Sequence, residues 1–563
     1  MPSPIDDLTT LTVRDLRLDD FHLRFPLFAK IRVLVVADTS VSTSPNGGFG
    51  VGRFIELLRA TKLGCTRFDV DVARRDLGAF NDAGAGAAGD RYQGFRFDAE
   101  VAGQLVIDRY HEIFMFGFAP DNNGGPDSNI DGHPLGMSNL EKAAIDGWMD
   151  DGGGVFATGD HDYLGATMCH RITRVGSMRR WTNADGVPPI NGPDRIDAHR
   201  PDTPAESSGA AVIVGAEGDA TPQPIEWVAV SDHRHGLFRY RRPHEVLCHP
   251  THGPIDVMPD HNHEGRCFTP AEIQASADRR ADFPGAELPT IIAWGNTIAD
   301  PPLQHLKGDT PAKHFPMISV YDGWQEDVGR VVVDSTWHHW FNMNIDALEA
   351  EGGEEWDKVS RYFVNVAKWI APKGAYRSVC WWDLVVAHLH PRTIEDLHPR
   401  AHVLDLGAVL YDHLAHIHGP CTVRDFIFGS ICDRWPVLCD GLRARFELPI
   451  PKDPCWSCPP IDVIERIVLG GMARGTMEIA EKIRYVALDG RSLELSIEDV
   501  QAAALEGMDR ELARFAKQVL ASTEDVADMF RSVVEPRSSK ASKASKASKT
   551  SKASKASKAT ANV

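Results

Sequence analysis

Apolar positions follow two regimes along this 563-residue chain. In the first, short continuous apolar runs alternate with stretches of helical spacing, which is the mark of buried parallel strands joined by crossover helices. Seven runs predict strands over residues 31–37, 68–72, 112–118, 155–158, 290–294, 317–321 and 330–334. Between the third and fourth, Ser138-Asn-Leu-Glu141 reads as a capping box. It opens a helix whose Leu140, Ala143, Ala144 and Trp148 share one face, and Gly152, Gly153 and Gly154 end it. From about Gly352 the strand signal stops. Apolar residues then recur at helical spacing, first Val359, Tyr362, Phe363, Val366 and Ile370, later Leu512, Phe515, Ala516, Val519 and Leu520. Five prolines within residues 448–460 divide this second region into two helical halves.

The pattern predicts an α/β fold of flavodoxin-like type, a mostly parallel sheet with helices on both faces, followed by a mostly helical C-terminal domain. The boundaries are an N-terminal extension over 1–29, the α/β domain over 30–345 with a histidine-rich insertion at about 166–288, and the helical domain over 352–535. Residues 536–563 repeat Ser-Lys-Ala, offer nothing apolar to bury, and predict a disordered tail.

Composition narrows the class. No apolar run approaches the roughly 20 residues a membrane span requires. The first 29 residues hold five aspartates and no apolar signal core, so a cytoplasmic, soluble protein with no membrane partner is expected. Ten cysteines, irregularly spaced, fit reduced thiols better than a disulfide framework. Cys432, Cys439, Cys455 and Cys458 match no common zinc spacing. The net charge is −19 although the segment from Arg537 onward carries eight positive charges and no acid, so the body repels nucleic acid and anionic lipid. Nucleic acid or another polyanion could be held only by the lysine tail, and a solubilising repeat is the favoured reading of that tail. Oligomeric state is not legible.

Open parallel sheets take ligands at the carboxyl ends of their strands, so the informative residues follow strands. After the first comes Asp38-Thr-Ser40, then Asn46-Gly-Gly48-Phe-Gly50-Val-Gly52 and a helix. Glycines and a helix start would let an anionic or carbohydrate group approach the backbone, and a plain strand-to-helix loop explains the run equally well. After the fourth strand comes the turn Gly159-Asp160-His161-Asp162-Tyr163-Leu-Gly165, and after the last strand Ser335-Thr-Trp-His338-His339. The insertion carries Ser231-Asp-His233-Arg-His235 and Asp260-His261-Asn-His263-Glu264. Imidazoles alternating with acids suit zinc, manganese or iron, with Asp260, His261, His263 and Glu264 the candidate ligands. Histidines bonded to loop backbone are the competing explanation.

Over residues 30–345 the chain resembles the class I glutamine amidotransferase-like superfamily, closest to its trehalose-utilisation (ThuA-like) branch. The resemblance rests on the turn at Gly159 to Gly165, where His161 falls on the position of the nucleophilic cysteine, and on the strand led by Gly329-Arg330 and ending in His338 and His339. Tyr163 stands where the family's elbow has its second glycine, and Cys169 comes eight residues too late to replace the thiol. The resemblance therefore implies a fold without working glutamine amidotransferase chemistry. It implies hydrolase or lyase chemistry on a small polar or sugar-like substrate, metal-assisted or not. In that expectation Asp160 or Asp162 orients His161 as base or metal ligand, His338 or His339 is the opposing acid, and Asp38, Ser40, Gly48, Gly50 and Tyr163 line the substrate crevice. The rival expectation is a non-catalytic scaffold or binding protein on a degenerate domain of the same type.

Overall fold

The computed structural model describes residues 29–86, 89–117, 133–160, 164–181, 220–235, 238–259, 265–296, 314–389, 401–446, 461–488 and 497–534. The Ser-Lys-Ala repeat lies outside the described residues, as do Cys455 and Cys458.

All seven expected strands form. They are β1 (Ala29–Asp38), β2 (Thr66–Arg75), β3 (Glu112–Phe116), β4 (Gly154–Thr158), β5 (Thr290–Asn296), β6 (His314–Tyr321) and β7 (Val331–Asp334). They lie in one sheet in the order β5-β6-β7-β4-β3-β1-β2, with two-residue strands added at both edges. From β7 to β2 every pairing is parallel, whereas β5 with β6 and β6 with β7 are antiparallel. Chain length explains the change of sense. Only residues 322–330 join β6 to β7, fewer than a parallel crossover needs. Every residue of β3, β4 and β7 is buried, so these central strands read as unbroken apolar runs rather than alternating ones.

One face of the sheet is covered by α1 (Gly52–Ala60), the other by α2 (Asn139–Asp150). The capping box of α2 is present, with Ser138 and Glu141 bonded to each other's backbone. The buried face of α2 is only partly the expected one, since Trp148 is buried and Ala144 packs against the core but Ala143 is exposed. Leu140 is 71% exposed, and Glu141, Ile145, Trp148 and Met149 turn inward. Glu141 takes an interior place because the fully buried Arg75 guanidinium waits there, also donating to the Leu135 carbonyl at 3.0 and 2.9 Å.

Beyond β7 come α3 (Asn342–Glu351) and α4 (Glu354–Ile370), and both pack onto the α1 side of the sheet. Val359, Tyr362, Phe363, Val366 and Ile370 are all buried there, and Phe54, Phe114, Phe156, Trp340 and Phe363 form a continuous aromatic cluster. The sheet's own core runs on to Val379 in α5 (Lys373–Leu389).

The remaining described helices are α6 (Val403–His418), α7 (Pro420–Arg434), α8 (Pro436–Phe446), α9 (Ile461–Leu488) and α10 (Ile497–Val534), around a separate core of Leu406, Leu410, Ile427, Val468 and Met508. Helix α9 is gripped closely on two sides. A Cβ at Gly470 would fall 2.0 Å from the Val403 carbonyl, and one at Gly475 1.9 Å from the Ala503 carbonyl. In α10 only Leu512 of the expected apolar stripe is buried; Leu520 is 64% exposed, because α10 runs past the end of the helices it packs on. Cys432 and Cys439, expected as free thiols, are joined in a disulfide between α7 and α8. Among the described residues no helix is long and apolar enough to cross a membrane.

Candidate functional site

The strand order reverses between β1 and β3, and the loops leaving β1, β4 and β7 meet at the carboxyl end of the sheet. Each loop is held by polar contacts to its backbone.

The β1 loop is tied by Arg74, whose Nη1 donates to the carbonyls of Asp38 (2.7 Å) and Val41 (2.5 Å), and whose Nη2 donates to Thr43 Oγ1. Asp38 is buried and its Oδ1 accepts the Ser40 N–H at 3.0 Å. The glycine-rich stretch wraps around a side chain of this same protein. Asn342 Nδ2 donates to the carbonyls of Ser44, Pro45 and Gly47, while its Oδ1 accepts the Arg53 N–H at 2.9 Å. Asn342 thus fills the start of α1, where an anionic ligand was considered. Gly50 has a packing reason, since a Cβ there would lie 2.2 Å from the Ser42 carbonyl; Gly48 is open to solvent.

The β4 turn is closed by the Asp160 N–H donating to the Leu164 carbonyl at 3.1 Å. Gly159 and Gly165 are pressed together, and Gly165 adopts φ +93°, which favours glycine. His161, Asp162 and Tyr163 lie outside the described residues, as do Asp260, His261, His263 and Glu264. Gly265, the next residue after Glu264, packs on this turn. Its N–H donates to the Ser335 carbonyl at 3.3 Å, and a Cβ on it would sit 3.2 Å from the Asp160 carbonyl. Ser231 to His235 lie on the strand Ala229–His235, paired with Phe238–Pro243.

The β4 and β7 ends are locked together by Arg179, fully buried against Trp181. Its Nη2 donates to the Asp160 carbonyl at 2.6 Å and the Ser335 carbonyl at 2.7 Å. Beyond Ser335 a short 3-10 turn, Trp337–His339, is capped by Thr336 and aims its two histidines in different directions. His338 Nε2 lies 3.2 Å from Asp160 Oδ2, and its Nδ1 3.3 Å from Asn344 Oδ1. Trp337 stacks on His338 at 4.0 Å and is met by Phe49 of the glycine loop at 4.9 Å. His339 turns to the end of β7, where its Nδ1 faces both Asp334 oxygens at 2.9 Å. Asp334 also accepts from Trp340 Nε1 (3.1 Å) and Tyr362 Oη (2.9 Å). Because a carboxylate only accepts, His339 carries its proton on Nδ1.

The structure therefore brings together Asp160 and His338, a pair the sequence had assigned to different partners. His338, Trp337 and Phe49 join the β7 loop to the β1 loop. Cys169 sits fully buried, and burial pushes its thiol up to about 12, which removes it as a substitute nucleophile. Arg179, Asn342 and Asn344 carried no sequence signal; Asp334 and Tyr362 were visible only as members of the last strand and of a helical stripe. Among the described residues no three histidine, cysteine or acidic side chains gather as a metal site.

Fold and site define a doubly wound α/β protein with a carboxylate–imidazole pair at the carboxyl end of its sheet. No protein-family model and no curated protein matches the chain. Among solved structures it is similar to the cytoplasmic protein STM3548 of Salmonella typhimurium, with 14% identity and a TM-score of 0.27 over 61% of this chain and 100% of that one. It is also similar to a ThuA-like protein of Parabacteroides merdae, with 11% identity and a TM-score of 0.24 over 61% of this chain and 91% of that one. The ThuA-like link is weak at these scores and carries no argument about chemistry.

Proposed function

We propose that this chain is a hydrolase- or lyase-type enzyme acting on a small polar, sugar-like substrate at the carboxyl ends of β1, β4 and β7. The observation that carries the reading is the Asp160–His338 pair, which joins two loops at the place where open α/β sheets bind their ligands. A buried carboxylate and imidazole are costly to keep out of water, and an acid–base couple is a chemical use for them. His338 and Asp160 act as one acid–base couple, in which a proton at His338 Nε2 passes to or from the substrate by way of the Asp160 carboxylate 3.2 Å away, and Asn344 Oδ1 faces the ring's Nδ1. Arg179 keeps the two loops at fixed separation. Phe49, half-buried beside Trp337, supplies an apolar ring of the kind that sugar faces stack on.

In this proposal His161, one residue from Asp160, is the opposing base, and Asp162 and Tyr163 border the crevice with Asp38, Ser40, Gly48 and Gly50. If a zinc, manganese or iron ion is held, Asp260, His261, His263 and Glu264 are the donors, on the connection that Gly265 makes to Asp160. The ion would supply an activated water.

The test is a panel of glycosides, sugar lactones and polyols followed by proton NMR with the full chain, alongside His338→Ala and Asp160→Asn. Turnover by wild type that drops at least about 100-fold in both variants, with circular dichroism unchanged, is the expected result. Full turnover in His338→Ala overturns the assignment, and no turnover by wild type across the panel favours the scaffold.

A further inference from the structure

Two cysteines far apart in sequence meet where the insertion touches the helical region. Cys248 begins the two-residue strand Cys248–His249, directly after the 3-10 turn Glu245–Leu247. Cys421 is the second residue of α7, just past the corner at Gly419, whose φ of +88° lets α6 turn into α7. That corner lies against the strand: a Cβ on Gly419 would be 3.7 Å from Cys248 Sγ. Asn365 of α4 fixes the same strand by donating to the Cys248 carbonyl at 2.9 Å.

The two sulfurs are within hydrogen-bonding reach. Cys248 Sγ accepts from the Cys421 thiol and from the Cys421 backbone N–H, which points out of the first turn of a 15-residue helix. The Pro243 carbonyl, 3.4 Å from Cys421 Sγ, is the alternative acceptor for that one S–H proton. Lys368, itself anchored on the His418 carbonyl and Thr422, and Arg242 add positive charge beside Cys248. A thiol at a helix N-terminus with cations around it is the setting in which cysteines become nucleophilic.

We propose that Cys248 and Cys421 are a peroxide-sensitive dithiol that closes to a disulfide between the insertion and α7. Cys248 is the attacking sulfur and Cys421 the resolving one. The bonds from Cys421, together with the nearby cations, hold Cys248 below an ordinary thiol, and the same contact and burial push Cys421 up. Cys65, Cys169 and Cys380 are all pushed up by burial, so they compete poorly. The Cys248 thiolate attacks one oxygen of hydrogen peroxide, the O–O bond breaks, and hydroxide leaves to take up a proton as water, giving a sulfenic acid. The Cys421 sulfur then attacks that sulfur, the S–O bond breaks, and a second water leaves. Two thiols and one peroxide become one disulfide and two waters, and burial of both cysteines selects a small oxidant over bulky disulfides.

The experiment is to treat the reduced, desalted full chain with hydrogen peroxide, block free thiols with N-ethylmaleimide, and map peptides by mass spectrometry. The expected result is a Cys248–Cys421 cross-linked peptide pair and loss of both alkylated forms together. In Cys421→Ser, Cys248 should stop at the sulfenic acid and be captured by dimedone. Wild-type protein that keeps both cysteines alkylatable after peroxide overturns the proposal, as does dimedone capture of Cys248 in wild type with no cross-link.

Discussion

His338 Nε2 lies 3.2 Å from Asp160 Oδ2, and this one contact joins the loop after β7 to the loop after β4 with both side chains buried. Removing one partner of a buried polar pair takes a contact from the other, at a cost of about 1–3 kcal/mol. Asp160→Ala and His338→Ala should therefore each destabilise, while the double variant falls well short of their sum. Urea midpoints of the four proteins measure the coupling. Strict additivity would mean that the two side chains do not act together.

That pair also marks where sequence reading stopped. All seven strands were legible because β3, β4 and β7 are buried on both faces and so read as unbroken apolar runs. The capping box at Ser138 was legible because both of its bonds are local. The inward face of α2 was only partly so, since a buried glutamate looks like a surface residue until Arg75, 66 positions away, is placed beside it. The same holds for the site. Asp160 and His338 each stood out after a strand, yet pairing one with the other needs the β4–β7 register, and Arg179 and Asn342 act only through carbonyls that no pattern reveals. The disulfide between Cys432 and Cys439 was missed because irregular spacing over a long chain carries no pairing information.

Glu112, at the start of β3, is fully buried, and neither carboxylate oxygen has a partner among the described residues. Burial alone raises its pKa well above the ordinary value, so the folded protein keeps a proton that the unfolded chain releases. Folding stability should then be greatest below the ordinary carboxylate range and decline as pH rises from there toward the folded-state value. Glu112→Gln mimics the protonated form and should flatten that decline. Urea midpoints for both proteins from about pH 5 to about pH 8 test this, and curves that stay parallel refute it.

Histidines give the opposite slope. His418 donates through Nε2 to Asp383 at 2.7 Å, but its Nδ1 is buried without a partner among the described residues, so a second proton there has no acceptor. Burial outweighs Asp383 and lowers its pKa to about 4 from 6.5. His111, His244 and His249 are lowered in the same way, to about 4, 3 and 4, also by burial first. Each group contributes stability that is fully present above 6.5 and lost as pH falls toward the folded value. For His418 the loss is about 2 kcal/mol near pH 5. His418→Gln should be less stable than wild type at neutral pH yet lose less on acidification. Equal acid sensitivity of the two proteins would remove His418 as a source.

Asp334 accepts from three donors, His339 Nδ1, Trp340 Nε1 and Tyr362 Oη, and is itself fully buried. Tyr362→Phe removes one donor and leaves no unpaired group of its own, so the loss is that of one bond to a charged acceptor, about 1.5–3 kcal/mol. Asp334→Asn is nearly isosteric but replaces an acceptor oxygen with an NH2, which then meets the His339 Nδ1–H head-on and forces the ring to give up either that bond or its tautomer. Its cost should exceed that of Tyr362→Phe although less volume and no ring contact is altered. The two variants also separate at His339. In wild type and in Tyr362→Phe the carboxylate keeps the proton on Nδ1, whereas an amide can release the ring to the other tautomer, which nitrogen-15 shifts of the imidazole report. If Asp334→Asn proves milder than Tyr362→Phe and the tautomer is unchanged, the carboxylate is not what orients His339, and the packing of Trp340 against Phe156 and Phe363 must hold the ring instead.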